Sequence, residues 1–112
     1  MKTISIQQAE LKQNPHGVEV KQMYNQPDAQ VMHITLQKGE SLKPHKTTVD
    51  VFFYILEGFP TIFIGEEQFE AEKDTLIESP KEILHYISNK NYQPARILVV
   101  KTPNPMQDKK TL

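Results

Sequence analysis

The feature that most constrains this chain is its apolar residues, which come in short runs with period-two alternation, parted by residues that turn the backbone. The runs VEVKQMY, AQVMHITL, VDVFFYIL, TIFIG, TLIES, ILHYIS and ARILVVK are separated by Gly, Pro, Asn and Asp. Alternate side chains of an extended strand point to opposite faces, so runs of this length and spacing predict an all-β sandwich or barrel. All four glycines, Gly17, Gly39, Gly58 and Gly65, fall between the runs, where a positive φ is tolerated. From Val49 to Ile55 one face carries Val49, Val51, Phe53 and Ile55, and the other Asp50, Phe52 and Tyr54. Beyond Gly58, Ile62 and Ile64 share one face while Phe59, Thr61 and Phe63 share the other. Both faces are apolar, so something besides the sandwich core must cover this hairpin: residues 1–30 or a second copy of the chain. One short helix or turn is expected in IQQAELKQN near the N-terminus.

With 112 residues the chain has enough length for one hydrophobic core, and a single domain over 1–112 is expected. Its core spans about 31–101, with residues 1–30 packing on the barrel or on a dimer partner and 102–112 forming a polar tail. Thirteen Lys and Arg against fourteen Asp and Glu leave a net charge of −1. A surface so balanced offers no field for nucleic acid or anionic lipid. The N-terminus lacks the apolar core of a secretion signal, and no run reaches membrane-spanning length, so a soluble, cytoplasmic protein is expected. Without cysteine, any chemistry falls to histidine, carboxylate and hydroxyl groups.

Two spaced patterns between Gly39 and Asn89 are specific. In the first, Gly39 is followed at fixed intervals by His45, Thr47, Val51 and Gly58. In the second, Asp74 is followed by Pro80, Glu82, His85 and Asn89. At these spacings the chain resembles a small single-domain cupin, whose first motif reads glycine, histidine, histidine, glutamate, glycine and whose second reads glycine, proline, glycine, histidine, asparagine. The resemblance covers roughly residues 31–100 and implies a double-stranded β-helix, or jelly-roll barrel. It also implies a divalent metal held by the two histidines and the glutamate of the first motif and the histidine of the second. Carried over by position, the metal ligands retained are His45 and His85. Thr47 and Val51 stand where the second histidine and the glutamate belong, and Asp74 and Glu82 replace the two glycines of the second motif.

Two neutral imidazoles supply neither the donor number nor the negative charge that a Zn, Mn, Fe or Ni site requires. The expected cofactor is therefore none, or a weakly held divalent metal. Possible additional ligands are Asp50, Glu78 and His33. Asp50 would need a β-bulge between Thr47 and Val51 to turn it inward. His33 faces outward if Met32, Ile34 and Leu36 face inward, and alternation does not settle the phase of Glu78. His16, in QNPHG, reads as a solvated loop residue, while Gly39, Pro80 and Asn89 read as turn residues.

Three functions follow. The first is binding of a small organic ligand in a pocket formed by His45, His85, Thr47, Val51, Phe53, Ile55, Ile62 and Ile64. The second is a metal-dependent cupin enzyme, such as a dioxygenase or isomerase, with a non-standard ligand set. The third is an interaction protein that uses the outer aromatic residues. Phe52, Tyr54, Phe59 and Phe63 are the expected homodimer interface.

Overall fold

The computed structural model describes residues 1–105, and these form nine β-strands. In chain order they are β1 (Glu10–Lys12), β2 (Glu19–Gln26), β3 (Ala29–Leu36), β4 (Asp50–Glu57) and β5 (Thr61–Ile64). The rest are β6 (Glu67–Glu70), β7 (Leu76–Ser79), β8 (His85–Ser88) and β9 (Ala95–Thr102). A six-stranded sheet in the order β1-β2-β3-β9-β4-β7 faces a three-stranded sheet, β6-β5-β8, and every pairing is antiparallel.

Alternation decides what each strand buries. On β4, Val51, Phe53 and Ile55 are buried while Phe52 and Tyr54 are half-buried on the outer face. Phe53 pairs with Val99 and Ile55 with Ile97 on β9, so inward residues of adjacent strands stack into one apolar layer. Leu36, Ile62, Ile87 and Ala95 join that core with essentially no solvent contact. Among the described residues no helix is long and apolar enough to cross a membrane.

The N-terminal segment differs from the expectation. Residues 6–8 make a single turn, closed by the Gln8 and Ala9 N–H groups on the Ser5 carbonyl, and the chain then enters β1 rather than a helix. Pairing with β2 wins here because nine residues cannot sustain an isolated helix. Residues 10–26 are accordingly two strands of the larger sheet, and Val20 contributes to the core. Residues 106–112 of the expected tail lie outside the described residues. Asn104, by contrast, is buried, and its amide donates to the Gln26 carbonyl and to Asn25.

The turns keep the backbone geometry of the motif glycines. Asp74 and Glu82 have φ of 65° and 66°, in the left-handed region that glycine adopts most readily. Asn89 acts as a turn residue: its buried amide donates to the carbonyls of Leu36 and Gln93, and its oxygen accepts the Asn91 N–H.

Candidate functional site

The site begins where two stretches of backbone meet. His45, in the segment that leads into β4, lies opposite His85, the first residue of β8, and they exchange backbone hydrogen bonds of 3.1 and 2.9 Å. Directly opposed residues project their side chains to the same face, and the two imidazoles meet edge-on with centroids 4.6 Å apart. Phe53 packs edge-on against the His85 ring, at 5.4 Å.

Each ring is anchored through its Nδ1. His85 is buried, with Nδ1 2.9 Å from the Ser79 hydroxyl on the inner face of β7. Burial, then the neighbouring His45 and Lys101, push its pKa from 6.5 down to about 4, so the ring is neutral near neutral pH. His45 Nδ1 lies 3.0 Å from the Lys43 carbonyl. A carbonyl only accepts, so Nδ1 carries the hydrogen and Nε2 of the neutral ring is an acceptor.

A third imidazole completes the group, that of His16, which the sequence alone places in a solvated loop. The loop between β1 and β2 is organised by Asn14, whose amide donates to the carbonyls of Lys12 and Val18 and whose oxygen accepts the His16 N–H. This turn presents His16 to the Lys43 N–H, which donates to His16 Nδ1 at 2.7 Å, and brings its ring within 5.3 Å of His45. Here the hydrogen sits on Nε2. Burial first, then His45, Lys43 and Lys101, lower the His16 pKa. The sequence signal was an Asn-Pro turn followed by a glycine, which marks a tight loop. What the loop faces depends on β1 pairing with β2.

The loop roofs a cavity of about 300 Å³. Val20, Met32, Ile34, Leu42, Phe53 and Val99 form its apolar walls; Gln30, Lys101 and the three imidazoles supply the polar groups. Of the residues expected to form the pocket, His45, His85 and Phe53 line it. Val51 and Ile55 are spent in the closed part of the core. Thr47 is buried, and its hydroxyl donates to the Val49 carbonyl at 2.8 Å within its own turn. Ile62 and Ile64 border a separate cleft beside β6 and β7. The inward face of a barrel strand is shared between solid core and cavity, and alternation alone cannot divide it.

The additional ligands considered for a metal stand elsewhere. Asp50 is exposed, and its carboxylate accepts the Lys81 N–H at 2.9 Å. Asp50 and Val51 pair in unbroken register with Thr102 and Lys101, so no bulge turns Asp50 inward. Glu78 is exposed and pairs with Phe52 on the outer face. His33 is turned away from the cavity-lining Met32 and Ile34. It is nonetheless buried, with Nε2 accepting from the Arg96 guanidinium at 3.1 Å and Nδ1 without a partner among the described residues. Burial, then Arg96, lower its pKa.

These placements do not suit the divalent metal that the cupin motifs imply. Among the described residues no three His, Cys, Asp or Glu side chains are grouped to hold an ion. No carboxylate of the described residues lines the cavity, and the Lys101 ammonium acts on both His16 and His85. A dication there would meet a like charge, and the described residues offer no anionic ligand to offset its desolvation.

The expected interface residues do not form one stripe. Phe52 and Tyr54 lie on the outer face of the six-stranded sheet, whereas Phe63 lies on the other sheet, stacked on Tyr86 at 4.3 Å. Phe59 sits exposed in the connection between β4 and β5. Consecutive strands β4 and β5 belong to different sheets, so their outer faces cannot join.

Comparison with known proteins agrees with this architecture. An uncharacterized protein of Methanocaldococcus jannaschii is 26% identical over 97 residues, covering 86% of this chain and 84% of that protein. The crystal structure of that same M. jannaschii protein, described as an RmlC-like cupin family protein with a double-stranded β-helix fold, superposes with a TM-score of 0.76 at 24% identity, over 90% of this chain and 94% of the other. An RmlC-like cupin from Shewanella frigidimarina gives a TM-score of 0.81 at 13% identity, with 92% and 91% covered. At such identities the likeness of structures establishes the fold alone. The family model described as the cupin domain matches residues 32–101, well over half of the chain. With its two motifs, its β-sandwich and that match taken together, the chain belongs to the cupin family.

Proposed function

We propose that this cupin binds a small organic ligand in the cavity beneath the β1–β2 loop, with His45 and His85 as polar contacts. The observation that carries the reading is the convergence of three imidazoles on a cavity of about 300 Å³ with largely apolar walls. That volume lies at the small end of the range for ligand pockets, and apolar walls with a few polar groups are their usual composition. The metal-dependent alternative is less well supported, because Thr47 and Val51 contribute nothing to the cavity and no carboxylate among the described residues replaces them. We also propose a homodimer, through the outer face of the six-stranded sheet. There Phe52 and Tyr54 on β4 adjoin Val100 and Leu98 on β9, a contiguous apolar surface that the chain itself only half covers.

The experiment is elemental analysis of untagged protein beside native mass spectrometry, before and after incubation with Zn, Mn, Fe and Ni. The expected result is metal far below stoichiometric amounts, together with an organic molecule that His45→Ala and His85→Ala release. Stoichiometric metal, lost in the same two variants, would replace this reading with the metal-dependent one.

A further inference from the structure

The two sheets end side by side on strands that each have a single neighbour. Among the described residues β7 pairs only with β4 and β6 only with β5, so half of the backbone N–H and C=O groups of each point away from its sheet. Between these edges opens a cleft of about 1180 Å³, which shares no described lining residue with the cavity beneath the β1–β2 loop. Its floor is the inward face of the strands: Ile62 and Ile64 on β5, and Ile77 on β7, whose partner on β4 is the core residue Phe53. Phe69, Leu76 and Ile83 also line it, with 52%, 51% and 39% of their surfaces exposed. Large apolar side chains left open together beside a core mark a surface that a partner covers. A cleft of this volume exceeds the usual range of about 300–1,000 Å³ for small-molecule pockets and suits a chain segment.

Several devices that commonly block edge pairing are missing here. β6 and β7 contain no proline or lysine, and both pair with their neighbours in unbroken register, without a bulge. They carry carboxylates, which bar some strands and admit others. Residues 66–82 hold seven of the fourteen acidic residues and only two of the thirteen basic ones. The charged side chains that line the cleft are Glu66, Glu67 and Glu78, and among the described residues none of them makes an ion pair. Such an edge repels a second copy of itself, because like charges would be brought together. It is complementary to a strand in which apolar side chains alternate with Lys or Arg.

We infer that the cleft binds an extended basic segment of a partner protein, which adds as a strand to the free edge of β7. Its apolar side chains enter over Ile62, Ile64 and Ile77, and its cationic ones meet the carboxylates of Glu66, Glu67 and Glu78. The cleft opens between the sheets, whereas the dimer proposed above uses an outer face, and this interaction is independent of the ligand proposed for His45 and His85.

The test uses the intact protein and capped, fluorescein-labelled hexapeptides of alternating lysine and valine, glutamate and valine, or lysine and serine, with binding read by fluorescence anisotropy. The lysine–valine peptide is expected to bind at least roughly tenfold more tightly than either of the others, since each control lacks one half of the match. Glu66→Lys combined with Glu67→Lys should remove the preference for lysine over glutamate, and Phe69→Ser should weaken binding. All three positions are exposed, so these changes leave the core intact. Hydrogen exchange should slow at backbone N–H groups of residues 76–79 when the lysine–valine peptide is bound, as strand addition requires. Equal affinity for the glutamate–valine peptide, an unaltered preference in the charge-reversed protein, unchanged exchange on β7, or no binding of any peptide would each overturn the inference. So would a change of oligomeric state in the charge-reversed protein on sedimentation, which would give the cleft to a second copy. In each of these cases the ligand-binding function proposed above stands.

Discussion

His85 is the residue whose surroundings have the clearest energetic consequence. Its ring is buried against Phe53 and Ser79, with the His45 ring beside it and the Lys101 charge acting on it, and its pKa falls from 6.5 to about 4. Between those values the unfolded chain takes up a proton that the folded protein refuses, so acid favours unfolding. The stability associated with neutral His85 is complete above about pH 6.5 and is lost as pH falls towards 4, a change of about 3 kcal/mol. Urea midpoints measured across this window should fall with pH in the wild type and flatten in His85→Asn. The lowered pKa values of His16 and His33 act with the same sign but are present in both proteins, so the difference isolates His85. Equal slopes would show that the ring is better solvated than its position implies.

At the scale of the element, the turns show which motif positions are required by backbone geometry. Gly58, between β4 and β5, has φ of +83°, and a Cβ placed there would come within 2.6 Å of the Pro94 carbonyl oxygen and 2.8 Å of the Ala95 Cα. Gly39 has a similar φ of +84° but open space around it. Gly58→Ala should therefore cost roughly 3 kcal/mol, combining left-handed strain with a clash against backbone, and Gly39→Ala only about 1 kcal/mol. Glu82 offers the reverse experiment. It holds a glycine-like φ while its N–H donates to the Thr47 carbonyl, so Glu82→Gly should stabilise by up to about 1 kcal/mol. Chemical denaturation of the three variants tests the ranking, and a Gly39→Ala loss as large as that of Gly58→Ala would contradict it.

For the whole molecule, the decisive fact is that β4 and β5 enter different sheets. The aromatic residues expected to form one interface are divided between two outer faces, and Phe63 already has a partner in Tyr86. If the dimer uses the larger sheet, Phe52→Asp or Tyr54→Lys should yield monomer in sedimentation velocity. Phe63→Asp should leave the dimer intact. Dissociation by Phe63→Asp alone would move the interface to the smaller sheet, and a wild-type monomer would end the proposal.

Much of the fold was legible because it depends on local rules. Alternation on VDVFFYIL assigned Val51, Phe53 and Ile55 to the interior, the glycines and the positions of Asp74 and Glu82 marked turns, and the two motifs located His45 and His85 before their backbones were seen to pair. Each of these follows from a side-chain period or a backbone preference carried by neighbouring residues. The composition of the site was another matter. His16 comes to His45 from 29 positions away, Ser79 at the end of β7 reaches His85 at the start of β8 in the other sheet, and Lys101 enters the mouth from the last strand. No side-chain period relates these residues: His16 arrives only when β1 extends the larger sheet and its loop folds over the barrel, and the others meet where the two sheets face each other. By itself the sequence determined seven of the nine strands, the inward face of β4 and the pair of histidines, but neither β1 nor β6. The tertiary structure alone decided which inward residues border a cavity and which third imidazole joins it, because those depend on contacts between segments distant in the chain.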